Sequence, residues 1–211
     1  MWFKIADLKA KYGIDPKVIA HVGAHYGEEV DEYLANGAEK IYLFEPLAAN
    51  CEVIMPKIKD KPVWLWNVAL GAASGTGSMW VSSNEKQSSS LLKPALHTQQ
   101  YPHITFGERV EVPIRRLDEC VGYQEVDFLN MDVQGYEFEV LKGGMLTLGS
   151  VKAIITEVNQ AELYENCVQI QELDAFLADF GFSRVMEDWI GGTWGDALYL
   201  HKSILRPLAA S

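Results

Sequence analysis

Three carboxylates each lie at or near the end of a mainly apolar run that reads as a buried strand. Glu45 follows Ile41-Tyr-Leu-Phe44, Asp132 follows Val126 to Met131, and Glu157 closes Val151 to Thr156. A fourth polar element is the turn His21-Val-Gly-Ala-His-Tyr-Gly27, which puts Gly23, Ala24, His25 and Gly27 after the apolar stretch Val18 to Val22. A glycine turn after a first strand, with an acid about 20 residues later at the tip of the second, is the order that builds a nucleoside pocket. The turn lets backbone approach the ligand and the carboxylate accepts from ribose hydroxyls. Glu45 is therefore the candidate ribose acceptor, and Pro46 behind it fixes it at the strand's edge. Capping of the next helix is its plainer role. Asp132 and Glu157, at the tips of two further strands, could act as general base and orienter toward a hydroxyl, or could ligate Mg²⁺ through oxygen. They could equally serve as a helix N-cap and a loop hydrogen-bonding partner, and two carboxylates do not make a metal site. His25 could contact a cofactor or act as a base, since histidine titrates near ~6.5; filling the turn is its simpler explanation.

The elements that must place these residues alternate. A short helix over residues 2–12 ends before Asp15-Pro16, and residues 1–16 form an N-terminal extension. Strand, helix, strand, helix, strand then follow through Val63 to Leu70, the first half of a doubly wound sheet. A strand over Val126 to Met131, a helix near Tyr136 to Gly143 and a strand over Val151 to Val158 continue it. An amphipathic helix spaced by Ile170, Leu173, Phe176, Leu177 and Phe180 comes next. Phe182 to Met186 and Ala197 to His201 predict a closing antiparallel pair. The expected fold is α/β and Rossmann-like, one domain over residues 1–211, with helices on both faces and ligand chemistry at the strands' carboxyl ends. Residues 71–116 are too long for an ordinary connection and are read as an insertion that closes over the acceptor, where His97, Tyr101, His103 and Phe106 would set specificity. Trp64 and Trp66 are read as strand packing, and Trp189 and Trp194 as core residues or a stacking surface for a sugar.

Which nucleoside ligand fits is decided by what the turn lacks. GxGxxG is absent, because Gly23 is followed by Ala, His, Tyr, Gly and Glu, and no GxxxxGK[ST] occurs. A turn without a phosphate cradle suits S-adenosylmethionine better than a dinucleotide. An NAD-dependent oxidoreductase and a non-catalytic nucleoside-binding module stand as the alternatives. The net charge of −11 argues against a nucleic-acid interface. No apolar run is long enough to span a membrane. Three widely spaced cysteines, Cys51, Cys120 and Cys167, suggest reduced thiols, and with no secretory signal at the start a cytoplasmic setting is expected. Oligomeric state has no marker.

The blocks His21-Val-Gly-Ala-His-Tyr-Gly27, Phe44-Glu-Pro46, Asp132-Val-Gln-Gly-Tyr-Glu137, Val140-Leu-Lys-Gly143, Thr156-Glu-Val158 and Asp196-Ala-Leu-Tyr199 resemble the FkbM family of S-adenosylmethionine-dependent methyltransferases. The resemblance runs from about Val18 to Lys202. It implies a seven-stranded, mostly parallel sheet with an antiparallel last strand. It also implies methyl transfer to oxygen, on a small-molecule hydroxyl acceptor such as a sugar or a secondary metabolite. By the same resemblance Asn67, Val68 and Ala69 would hold the adenine, and one of Ser88, Ser89 and Ser90 would touch the cofactor. His21 stands where the family usually has an acid that helps hold the methionine portion, and His25 where it usually has Asn.

Overall fold

Apolar strands alternating with one-sided helices leave the chain a single economical packing, a parallel sheet covered on both faces. The computed structural model describes residues 3–122 and 125–205; Met1, Trp2 and residues 206–211, part of the expected single domain, lie outside the described residues. Helix α1 (Ile5–Tyr12) precedes β1 (Val18–Val22), α2 (Val30–Ala35), β2 (Lys40–Phe44), α3 (Ala48–Ile58) and β3 (Val63–Trp66). Two short strands, β4 (Ala69–Leu70) and β5 (Gly75–Val81), lead to α4 (His97–Gln100), β6 (Glu108–Arg115) and α5 (Leu117–Cys120). The second half contains β7 (Phe128–Met131), α6 (Glu137–Gly143), β8 (Ala153–Asn159), α7 (Ile170–Asp179), β9 (Phe182–Ile190) and β10 (Trp194–His201).

The main sheet has seven strands in the order β3-β2-β1-β7-β8-β10-β9. Its first five are mutually parallel, and β10 runs antiparallel to both β8 and β9. Side chains alternate across the strands, so Ala20, Val22, Leu129, Met131 and Ile154 join one core with Val140, Leu141, Leu173 and Leu177. Ile19, Ile41, Leu43, Phe128 and Ile155 join the other with Ile5, Leu8, Val30 and Ile54. The strand order reverses between β1 and β7, which opens a crevice at their carboxyl ends.

Three details depart from the sequence pattern. The third strand does not run unbroken from Val63 to Leu70. It stops at Trp66, where the Asn67 amide turns aside to donate to the carbonyls of Glu45 (3.0 Å) and Pro46 (2.9 Å). Ala69 and Leu70 then pair with Ile114 and Arg115 in a separate three-stranded sheet, β4-β6-β5. Trp64 and Trp66 are not packed in. β3 is the edge strand, their rings reach Tyr42 and Phe44 of β2, and they stay 47% and 38% exposed. The closing hairpin is longer than the alternation suggested, with β10 inside the sheet and β9 at its edge. No helix among the described residues is long and apolar enough to cross a membrane.

Candidate active site

The carboxyl ends of β1, β2, β7 and β8 open into one cleft of about 600 Å³, within the range that holds a cofactor-sized ligand. Its floor carries His21, Gly23, Ala24, His25, Glu45, Pro46, Asp132 and Glu157, with Val68 and Ala69 at one side. The insertion supplies much of the remaining wall, including Met79, Ser89, His97 and Tyr101, and Trp194 reaches it from the closing hairpin. The Trp194 indole N–H donates to the Tyr101 hydroxyl at 2.8 Å, tying hairpin to insertion.

The turn after β1 is shaped by its neighbours before any ligand. Gly23 has φ +82°, and a Cβ there would lie 1.9 Å from the Asp132 carbonyl oxygen, so only glycine lets β1 and β7 exit side by side. Gly27 also has a positive φ, +69°, but it faces Ile54 and Val30 rather than the cleft. His25 adopts φ +47°. Both its ring nitrogens are engaged, Nδ1 with Glu28 Oε1 and Nε2 with the Glu85 carbonyl, each at 2.8 Å. His25 thus links the turn to the insertion, which leaves it poorly placed to serve as a base.

Glu45 is buried and receives three donors. Oε2 accepts from the His25 backbone N–H (2.9 Å), and Oε1 accepts from Leu47 N–H (2.8 Å) and the Asn50 amide (3.3 Å). Burial nevertheless raises its pKa to about 7. A carboxylate has about four acceptor positions, so one stays open toward the cleft. Asn50 Oδ1, on the same wall, is buried with no hydrogen-bond partner among the described residues. An open carboxylate position beside an orphaned acceptor fits a ligand that brings hydroxyl donors, as a ribose does.

The other end of the cleft is crowded with acids. Asp132 follows β7 and opens onto the cleft, whereas Glu157 is 3% exposed. Glu157 lies within β8 rather than at its tip, because β8 continues to Asn159 along β10 and sets Glu157 opposite Asp196. The Gln134 amide Nε2 donates to Asp132 Oδ1 (2.7 Å) and Glu157 Oε2 (2.6 Å). Burial, then the charges of Glu137, Asp132 and Asp196, push Glu157 well above the ordinary carboxylate range. Desolvation raises Asp132 as well, and burial brings Glu137 to about 7. Glu137 Oε1 accepts from the N–H groups of Val133 and Gly135, which shapes the loop after β7. Among the described residues no group of three or more His, Cys, Asp or Glu is arranged to hold a metal ion, so the Mg²⁺ ligation that the acids suggested lacks its ligand set there.

His21 is buried between these ends. Asn130 donates to the Tyr33 hydroxyl at 2.8 Å, and that hydroxyl lies 3.3 Å from His21 Nδ1, with Glu29 Oε2 at 3.9 Å. Burial lowers the His21 pKa, so the ring is neutral at pH 7. Of the residues singled out in the sequence, Gly27, Asn67, Ser90, His103, Phe106 and Trp189 lie off the cleft wall. Asn67 is exposed beyond β3, and Ser90 is fully buried with its hydroxyl donated to the Gln134 carbonyl at 2.7 Å. Asn50, Gln134 and Tyr164 escaped the sequence reading. Gln134 stood inside the block Asp132 to Glu137, where its spacing already placed it beside the acid; Tyr164 carried no signal.

A seven-stranded sheet with this order and an antiparallel β10, opening on a nucleoside-sized cleft at its carboxyl ends, defines a class I methyltransferase. Solved structures share that architecture. An S-adenosylhomocysteine complex of M. capricolum TrmK superposes with a TM-score of 0.51 at 8% identity, over 96% of this chain and 69% of that one. A Listeria monocytogenes protein described as an S-adenosylmethionine-dependent methyltransferase gives 0.58 at 8% identity, over 94% and 98%. Residues 21–184 match the Methyltransferase FkbM domain, and the chain belongs to the FkbM methyltransferase family. It is 29% identical over 197 residues to the 2-O-methyltransferase NoeI of Sinorhizobium fredii (strain NBRC 101917 / NGR234), covering 87% of this chain and 79% of that protein. The protein is an S-adenosylmethionine-dependent methyltransferase, and the dinucleotide alternative drops away.

Proposed function

We propose that this enzyme methylates a hydroxyl oxygen on a small acceptor, a sugar or a related metabolite. The observation that carries the reading is the division of one cleft between a carboxylate with a vacant acceptor position, Glu45, and an acid pair, Asp132 and Glu157, at the other end. The likeness to a 2-O-methyltransferase supports oxygen as the target.

S-adenosylmethionine, when bound, supplies an electrophilic methyl carbon on a sulfonium whose carbon–sulfur bond breaks with its electron pair left on sulfur. Glu45 and Asn50 would hold the ribose, Val68 and Ala69 would flank the adenine, and the His21 and Glu29 side chains would meet the methionine portion. Alignment does most of the work in such a displacement. The acceptor oxygen must also lose its proton, and Asp132, open to the cleft and with its pKa raised by desolvation, is the group to take it. The insertion, residues 71–116, would wall the acceptor, with His97, Tyr101 and Trp194 against its ring. The net charge of −11 speaks for a small acceptor over a polynucleotide.

Thermal unfolding with S-adenosylhomocysteine, followed by methyl transfer from radiolabelled donor to a panel of glycosides, tests the reading. A thermal shift with label recovered as an alkali-stable methyl ether is expected. A shift with label appearing on nitrogen, or only on RNA, would overturn the acceptor assignment.

A further inference from the structure

We propose that Gln134 is a positioning residue for methyl transfer, joining Asp132 to Glu157 so that Asp132 alone meets the acceptor hydroxyl. This rests on the hydroxyl-acceptor reading above. An amide has one accepting and one donating end. Here the Tyr164 hydroxyl, with one hydrogen to share, lies 2.9 Å from both Gln134 Oε1 and the Ser88 carbonyl. Nε2 faces the acids, and its two hydrogens match two oxygens, Asp132 Oδ1 and Glu157 Oε2. Reversing the amide would take the donor away from Asp132 Oδ1.

The anchors do not depend on a ligand. Tyr164 is completely buried. The Gln134 backbone sits at φ +55°, a region that non-glycine residues seldom occupy. It is held there by Ser90 Oγ on its own carbonyl and by Glu137 Oε1 on the N–H groups of Val133 and Gly135. A backbone conformation of that kind persists only where its surroundings over-determine it, and such places cluster at functional sites. The insertion supplies Ser90, and also Ser88, whose carbonyl lies 2.9 Å from the same Tyr164 hydroxyl. The segment that walls the acceptor is thus fastened to the residue that orients the acids.

The two acids are not equivalent. Glu157 is enclosed in β8, opposite Asp196, while Asp132 is open to the cleft. With Oδ1 engaged by Gln134, Oδ2 is the Asp132 oxygen left for the acceptor. The hydroxyl proton passes to that oxygen as the acceptor oxygen takes the methyl group.

Carbon-13 NMR titration of carboxyl-labelled Asp132 reads this arrangement without turnover, because the amide donor favours the ionised acid. Gln134→Leu should move the Asp132 titration to higher pH by roughly one unit or more. Tyr164→Phe, which frees the amide but keeps the ring, should move it the same way by less. Both should retain the thermal shift with S-adenosylhomocysteine, and on a glycoside that the wild type methylates Gln134→Leu should lose kcat at least tenfold with KM for the donor unchanged. An Asp132 titration that does not move in either variant, while the ligand still binds, overturns the proposal. Loss of the ligand's thermal shift in the wild type itself would instead remove the reading beneath it.

Discussion

Glu45, Asp132 and Glu157 are carboxylates of one cleft, all raised by desolvation, yet they are held by different parts of the chain. Two of the three donors to Glu45 are backbone N–H groups, from His25 and Leu47, which the fold fixes as soon as β1, β2 and α3 are in place. The donor shared by Asp132 and Glu157 is a side chain, Gln134, and the acids nearby repel them. The nucleoside end is therefore written in the main chain and will tolerate change around it. The transfer end is written in side chains and can be retuned by one substitution.

The comparison breaks most sharply at Asp132. Asp132→Asn keeps the shape and removes the base, so turnover should fall about 10²–10⁴-fold, the usual worth of a positioned acid or base, while the thermal shift with S-adenosylhomocysteine survives. Steady-state kinetics beside a melting curve checks both. Full activity in the Asn variant would leave alignment alone to account for transfer.

At the other end the effect lies in binding and has a pH signature. Glu45→Ala should abolish a stabilisation that amounts to about 2.7 kcal/mol at a ligand concentration ~100 times Kd. Ribose hydroxyls bind the ionised acid, whose pKa is about 7. Affinity should therefore be gained as pH rises through 7 and lost as it falls, by up to about tenfold between pH 6 and 8. Calorimetric titration of the wild type against Glu45→Gln measures it. The Gln variant should bind weakly with no slope assigned to this group, and an equal slope in both proteins would place the titration elsewhere.

This contrast also explains what could be read from sequence. Strands, the acid at Glu45 and the acid at Asp132 were legible because apolar period and strand-end position are local properties of the chain. The order of strands in the second half and the nature of the pocket wall were not. Nothing near Asn67 announces that its amide will turn onto Glu45 and Pro46 and break the third strand, since those carbonyls come from another element. Gly23 looked like a ligand contact, and its glycine is demanded first by the Asp132 carbonyl. Trp64 and Trp66 read as strand packing, and their exposure was hidden because an edge strand looks like any other until the sheet order is known. Tyr164 is distant in sequence from Ser88, though its hydroxyl lies between that residue and Gln134.

The smallest effect is one of stability, and it separates the two ends by sign. A group whose folded pKa is raised favours the fold fully only below its unfolded value, and that contribution is lost as pH climbs toward the folded pKa. Glu157, raised well above the ordinary carboxylate range among Glu137, Asp132 and Asp196, is such a group. Glu157→Gln should remove the burden of a buried charge and raise the melting temperature at pH 8 by about 2–4 °C, the equivalent of ~1 kcal/mol in a chain of this size. The gain should shrink toward pH 5, where the wild-type acid is already protonated, and it should come with slower turnover. Glu45→Gln should bring no such gain at pH 8. Its two backbone donors need acceptors, and an amide offers one oxygen where the carboxylate offered two. Melting curves of both variants across pH 5–8 decide it, and a Glu45→Gln protein stabilised as much as Glu157→Gln would show that the two ends are built alike after all.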